Sequence, residues 1–391
     1  MPQQSLSFGI EEEFLLVDLA SRDVIRRPPA TLLPAYRHEL GPCLAEEMFQ
    51  SQIELVSPIL SSLDEGRAWL QESRQRLNTL TRQHGIGLLG SASHPFADWR
   101  EQLATESPHY RKLFADHGDI ARRSLVSGLH VHVGVPNGYD RLRVMNRLVG
   151  WLPLLLALSC SSPFWGGRDS AMASYRRCLC GEWPRMGIPE PLPDEQAFDA
   201  YVGLLLAAGA LQRRGDIWWF IRPSARFATL ELRIADACPL VEDALCIAGL
   251  FRTLVTWALD AKDDELNGLQ RLLLEENYWR ARRQGCAARF LDARGHDELS
   301  AAEWLAQLEQ LVGAAGEPES FTQAARILRE GSSAQRQRRV LLAAQGSGLS
   351  ERQALCAVVD SLLEETARQC ERPASLPRSP LVEYPPTLPG D

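Results

Sequence analysis

Lysine is scarce in this 391-residue chain, no run of basic residues stands out, and the net charge is −8. Without an extended cationic surface, neither nucleic acid nor an anionic membrane is an expected partner. The longest apolar run, 148–160, falls short of the ~20 residues that span a bilayer and contains Pro153, so it reads as a buried helix. The P-loop signature GxxxxGK[ST] does not occur and no dinucleotide-binding glycine fingerprint is expected. HExxH is missing too, which removes a common frame for a zinc hydrolase. The N-terminus, MPQQSLSFGIEEEF, reads directly into a strand with no signal peptide expected. The nine cysteines are scattered and odd in number, which suits free thiols and a cytoplasmic setting. Cys178-Leu-Cys180 lacks a second pair that would complete a zinc site.

What the chain does have is a recurring alternation. Four segments, GIEEEFLLV, QIELVS, GLHVHVGV and TLELRIAD, interleave apolar residues with acids, imidazoles or a guanidinium. A β-strand turns successive side chains to opposite faces. The first segment then shows Glu11 and Glu13 on one face and Ile10, Phe14 and Leu16 on the other, with Glu12 as the exception. Glu54 lies in the second. The third sets His130 and His132 against Leu129, Val131 and Val133. The fourth sets Thr229, Glu231 and Arg233 against Leu230, Leu232 and Ile234. If these strands share a sheet, its apolar face packs on helices and its other face gathers at least four carboxylates. So many acids together require cations. Mg²⁺ prefers carboxylates with water and phosphate oxygens, so the pattern points to an enzyme of ATP and Mg²⁺.

Each feature also has a plainer reading. Alone, the EEE cluster would pass for a solvated strand edge. Its recurrence inside apolar strands argues otherwise, because a half-buried Glu needs a partner. His130 and His132 are zinc ligands, hydrogen-bonded core histidines, or the lining of a nucleotide or substrate pocket; imidazole suits Mn²⁺ better than Mg²⁺. Arg233 either forms a structural ion pair with Glu231 or stabilises transferring phosphoryl oxygens. In SSPFWGGRDSAMASYRR, Arg168 and Arg176 (or Arg177) are candidate clamps for a carboxylate, against the reading of surface arginine. In IWWFIRPSARF, an aromatic side chain stacks on adenine or packs in the core, and Arg222 and Arg226 flank a turn from which they reach phosphate.

Strands are expected near 7–17, 50–57, 86–91, 127–135, 216–222 and 227–235, the last two as a hairpin. Helical periodicity is clearest near 64–83, 140–160, 194–212, 240–260, 265–283, 301–314, 319–330, 335–345 and 350–371. Beyond 236 no strand is expected. The strands lack regular crossover helices, so the fold class is α+β with an antiparallel or mixed sheet. One domain over 1–372 follows, strand-rich to 236 and helical from 237, with a Pro-rich tail at 373–391.

Together the segments FGIEEEFLLVD, QSQIELVSP, SASHPFADW, GLHVHVGVP, LALSCSSPFWGGRDSAMASYR, WWFIRPSARFATLELRIADA, ENYWRARRQGCAARFLD and GSSAQRQRRVL resemble the carboxylate–amine ligase family, also called glutamate–cysteine ligase type 2. The likeness runs from about residue 7 to residue 345. It implies a glutamine-synthetase-like catalytic domain, a curved, mostly antiparallel sheet of about six strands that forms a funnel for ATP and Mg²⁺ or Mn²⁺. It further implies ATP-dependent joining of a glutamate γ-carboxylate to an amine, cysteine being the named acceptor, through an acyl phosphate. By position, Glu11, Glu13, Glu54 and Glu231 match the family's metal carboxylates, and His132 joins them. Glu47 falls where related ligases carry another acid, and with His130 and Arg233 it is assigned to catalysis. Arg168, Arg176 and Arg222 are assigned to substrate or ATP. A homodimer is an expectation from the same resemblance. SASHPF departs from the Gly-Thr-His-Pro-Phe expected there, and Cys160 replaces a small residue in SxSSPFW. Rival readings are a ligase for another acid or amine, a metal-dependent hydrolase, and a degenerate ligase kept for binding.

Overall fold

The computed structural model describes residues 6–261, 268–292 and 297–368; the Pro-rich tail expected at 373–391 lies outside the described residues. Strands β1 (Phe8–Asp18), β2 (Leu44–Glu46), β3 (Gln52–Val56), β4 (Ile86–Leu89) and β5 (Leu129–Gly134) come first. A separate two-strand ribbon follows, β6 (Phe164–Trp165) with β7 (Arg168–Asp169), then β8 (Ile221–Pro223) and β9 (Thr229–Leu232). The main sheet has 7 strands in the order β2-β3-β1-β5-β9-β8, with β4 pairing along the far half of β1. Every pairing is antiparallel.

The alternation read from β1 explains its central place. Ile10, Phe14 and Leu16 point into the cores beneath the sheet. Glu12, on that same apolar side, is buried but paired: Arg74 grips it with Nε at 2.9 Å and Nη2 at 2.5 Å. A buried acid is tolerable only with such a partner. Arg74 comes from the helix Leu63–Arg82, whose first turn is capped by Ser62 accepting from the Glu65 amide. The helix Val241–Asp260 packs on β5 and supplies much of the largest core. Leu15 and Val17, on the opposite side of β1, are covered by a second core that includes the helix Glu351–Ala367. Only the Glu11–Glu13 stretch of that side is left for chemistry.

Several expectations change. The helix expected over 140–160 is three pieces: Arg141–Leu148, a 3-10 turn Val149–Trp151, and Leu152–Ser159. Pro153 lacks an amide to continue the ladder and is suited to the start of a helix, so the chain restarts there. Arg141–Ser159 is apolar and long enough to cross a membrane, but 78% of its apolar window is buried in the protein, as in a core helix. Beyond 236 there is a short ribbon after all, β10 (Arg289–Leu291) with β11 (Glu298–Ser300). Short helices Leu32–Leu40, Pro108–His117 and Arg176–Cys180 were not expected.

GIGLLG at 85–90 does have the spacing of a dinucleotide fingerprint, contrary to expectation. It opens no helix. Gly85 (φ 69°) makes the turn after the helix Leu63–Arg82, and Gly87 gives Leu363 room against β4. The motif is packing, not phosphate binding.

Candidate active site

The register of the sheet assembles the polar face from pieces far apart in sequence. Glu13 stands opposite Glu54 across β1–β3. Glu11 stands opposite His130 across β1–β5. His132 stands opposite Glu231 across β5–β9, and Arg222 opposite Glu231 across β8–β9. Directly opposed side chains in an antiparallel pair are close neighbours. The result is one row of acids and imidazoles running across β3, β1, β5 and β9.

Three overlapping trios have ligand atoms within 4.8 Å of one another: Glu13–Glu47–Glu54, Glu11–Glu54–His130 and Glu11–His132–Glu231. Glu54 and Glu11 each belong to two, so the trios form a continuous track. Glu11 lies 3.2 Å from both His130 Nδ1 and His132 Nε2. His130 Nε2 is 3.5 Å from Glu13 Oε1. His132 Nδ1 meets the Thr229 hydroxyl at 3.0 Å.

Electrostatics divides the acids into two groups. Burial pushes Glu47 up to about 8, helped by Glu13 and Glu11. Burial likewise raises Glu54 well above the carboxylate range, with Glu11, Glu47 and Glu13 adding repulsion. Burial also works against Glu11, but its bonds to His130 and His132 win and hold it well below the usual range. At Glu231 burial is again overcome, by Arg233 and Arg222, and the carboxyl is lowered. His130 is lowered by burial and by Arg233, whereas Glu11 raises His132 against its burial. The Glu47–Glu54 end therefore holds more acid than its surroundings neutralise. An all-carboxylate trio of this kind suits a hard divalent cation, and the mixed acid–imidazole trios suit Mn²⁺ as well.

Several expected site residues lie in this row and several do not. Glu11, Glu13, Glu54, His130, His132 and Glu231 come together as the strand pattern required. Glu47 joins them just beyond β2, a strand too short to read from sequence, and Met48 donates its amide to Glu47 Oε2 at 3.1 Å. Arg233 bonds Glu231. Its amide and that of Ile234 both donate to Phe220 O, the mark of a bulge that re-aims a side chain at a strand end.

Of the three arginines expected to bind substrate or ATP, Arg222 and Arg176 require correction. Arg222 is spent: Nε and Nη2 hold Glu231 at 2.8 and 3.1 Å, and Nη1 donates to Gly215 O and Ile217 O, each at 2.6 Å. The Ile217 carbonyl is turned to Arg222 and the chain at Arg214–Asp216 forms a 3-10 turn, so β8 is shorter than expected. Arg176 is buried, with Nη1 on Ala235 O at 2.9 Å, so it is no clamp for an incoming carboxylate. Arg168 is exposed on β7 and, among the described residues, pairs with no acid. Phe220 and Trp219 are core; Trp218 packs edge-on against Trp183 at 5.1 Å.

Two neighbours were not anticipated. Tyr110, on the helix Pro108–His117, donates its hydroxyl to Glu46 O at 2.9 Å. Burial raises its own pKa, and Glu47, Glu54 and Glu13 add to the rise, so it borders the acids. No periodicity marks that helix in the sequence. Beside His132, the β8–β9 turn opens onto a groove of about 470 Å³ lined by Asn137, Tyr139, Arg141, Glu195, Arg226 and Phe227. Phe227 meets His132 edge-on at 6.1 Å, and the Arg226 guanidinium lies over Phe227 at 5.5 Å.

Comparison with known proteins adds the family. The family described as glutamate-cysteine ligase family 2 matches residues 7–359. A protein of Pseudomonas entomophila, provisionally named glutamate–cysteine ligase 2, is 51% identical over 362 residues, covering 92% of this chain and 95% of its own. A protein of Pseudomonas putida with the same provisional name is 48% identical over 357 residues, covering 90% and 97%. Among solved structures, the glutamate–cysteine ligase of Francisella tularensis in complex with AMP shares the fold with TM-score 0.68 at 12% identity, over 93% of this chain and 89% of that one. A bifunctional glutathione synthetase from Pasteurella multocida gives TM-score 0.69 at 16% identity, over 93% of this chain and 53% of that one.

Proposed function

The chain belongs to glutamate–cysteine ligase family 2, and from that premise we propose that it is an ATP-dependent carboxylate–amine ligase that forms a γ-glutamyl amide, with cysteine as acceptor. The observation that carries the reading is the continuous track of three trios across β3, β1, β5 and β9. Such a track suits a reaction in which negative charge builds on several phosphoryl oxygens at once.

Glu13, Glu54 and Glu231, with Glu11 and His132, would hold Mg²⁺ or Mn²⁺. The cation would supply positive charge to the triphosphate and to the transferred phosphoryl group. The remaining work falls to the protein. Arg233 offers the N–H groups that Glu231 does not hold to phosphoryl oxygens, while Glu231 fixes one end of the guanidinium. The substrate γ-carboxylate attacks the γ-phosphorus of ATP, giving acyl phosphate and ADP. The amine then attacks the acyl carbon and phosphate leaves. Glu47, raised to about 8 and so ionised only in part at neutral pH, takes in its ionised form the proton the amine gives up. His130, lowered by burial and Arg233, lines the site as neutral imidazole. The groove beside His132 suits the rest of the nucleotide, with Phe227 as an apolar wall.

We place the enzyme in the cytoplasm, in keeping with the eight free cysteines of the described residues, and take a homodimer as its assembly. Sedimentation velocity tests the assembly. The function is tested by ADP release from the reduced protein with ATP and Mg²⁺, then Mn²⁺, with glutamate and with or without cysteine. Release that needs both amino acids, with a γ-glutamyl dipeptide in the mass spectrum, is the expected result. Nucleotide turnover with other acids or amines only would overturn the substrate assignment. Hydrolytic activity without nucleotide would overturn the ligase reading.

A further inference from the structure

Behind the acid row lies a buried knot that the chemistry above does not use. Asp236 is 0% exposed. It accepts from the Ser161 amide at 3.0 Å and from the Ser162 and Ser174 hydroxyls, each at 2.9 Å. Arg176 Nη1 lies 3.7 Å from Asp236 Oδ1, and the Arg176 amide donates to Ser162 Oγ at 3.1 Å. The guanidinium reaches from there to Gly128. A Cβ at position 128 would stand 2.1 Å from Arg176 Nη2, so only glycine leaves room. Gly128 has no positive φ, so the requirement is space and not conformation. Its amide donates to Glu13 Oε2 at 2.6 Å, and its carbonyl accepts from the Glu13 amide at 3.3 Å.

We infer that Arg176, held by Asp236, is a positioning residue for Glu13, acting through the Gly128 peptide. The inference rests on the reading of Glu13 as a cation ligand. One carboxylate oxygen of Glu13 is fixed by the Gly128 amide, which leaves Oε1 turned to His130 and to the Glu13–Glu47–Glu54 trio. A ligand carboxylate needs such outer support to hold its geometry. Arg176 packs where a side chain at 128 would otherwise stand, so the peptide cannot retreat. It also keeps a positive charge beneath a row of acids, which a neutral side chain of the same bulk would not. The arrangement explains why an arginine that looks like a substrate clamp in the sequence is buried away from substrate.

The test compares the full-length protein with Arg176→Lys and Gly128→Ala. Lysine keeps the charge but loses the planar fork that reaches Gly128. Alanine at 128 displaces the guanidinium. Mn²⁺ binding is counted by electron paramagnetic resonance of the free ion, without nucleotide. Both variants are expected to bind Mn²⁺ about 10–100-fold more weakly while remaining folded by circular dichroism. In ¹⁵N-glycine-labelled protein the Gly128 amide, assigned by its loss in Gly128→Ala, is expected to shift in Arg176→Lys as its bond to Glu13 weakens.

Parent-like Mn²⁺ affinity in both variants, with an unmoved Gly128 resonance, overturns the inference. If Arg176→Lys does not fold, Gly128→Ala decides by its Mn²⁺ affinity. If the parent itself binds no Mn²⁺, the cation reading of Glu13 fails, and the Gly128 resonance alone decides the role of Arg176.

Discussion

Glu47→Gln should make the cation-free protein more stable, and more so at neutral than at acid pH. Glu47 is raised from 4.5 to about 8, first by burial and then by Glu13 and Glu11. In the unfolded chain the same carboxyl ionises near 4.5. Between those two values the unfolded state has already lost the proton that the folded state keeps, so stability falls as pH rises through that window. Taking about 1.4 kcal/mol per pKa unit, the penalty at pH 7 is about 3 kcal/mol and at pH 5 is about 1 kcal/mol. Glutamine carries no such penalty and still offers an oxygen to the Met48 amide, now 3.1 Å from Glu47 Oε2. In a chain of this size each kcal/mol moves the melting point by about 1 °C. The assay is calorimetric melting in EDTA at one scan rate. The variant is expected about 3 °C above the parent at pH 7 and about 1 °C above it at pH 5. With Mn²⁺ at 100 times the parent's Kd the gap at pH 7 should narrow, because binding adds about 2.7 kcal/mol to the parent and less to the variant, which has one negative charge fewer beside the ion. A variant that melts below the parent at pH 7 in EDTA, or a difference that does not shrink at pH 5, would refute the reasoning.

Glu13→Gln should abolish ADP release while leaving the circular dichroism spectrum unchanged; a near-parental rate would remove Glu13 from the site. Arg74→Met strands Glu12 in the core without its partner, so a loss of about 3–5 kcal/mol is expected in denaturant melts. An unchanged midpoint would mean that Glu12 finds water or a proton at little cost. Arg168→Ala removes an exposed side chain that pairs with no acid among the described residues, so kcat and KM for each substrate should stay within about twofold. A large rise in KM for glutamate would restore Arg168 as a substrate clamp.

The polar face of the sheet was legible because a period of two is a local property. Glu11 and Glu13, His130 and His132, and Glu231 and Arg233 each declare a shared face from three consecutive residues. Glu12 stood out as an acid on the wrong side, yet nothing in its strand names Arg74, which lies 62 residues away on a helix. Glu47 had no periodic signal, because the strand that delivers it is only three residues long. Tyr110 and the short helix that carries it were invisible for the same reason. Arg176 and Arg222 misled because a guanidinium looks the same in sequence whether it meets solvent, a carbonyl or an acid. Only packing assigns Arg222 to Glu231, Arg176 to the Gly128 peptide and Arg168 to the surface.

By itself, then, the sequence determined the family, the antiparallel α+β class and which strand residues share the acid-bearing face, since these follow from motif order and side-chain alternation. Tertiary structure alone decided which acids are neighbours, because opposition across strands depends on register between segments separated by more than a hundred residues, as for Glu11 and His130. It also decided how each acid titrates. Glu47 and Glu231 are the same residue type, yet burial among like charges raises one and two guanidiniums lower the other.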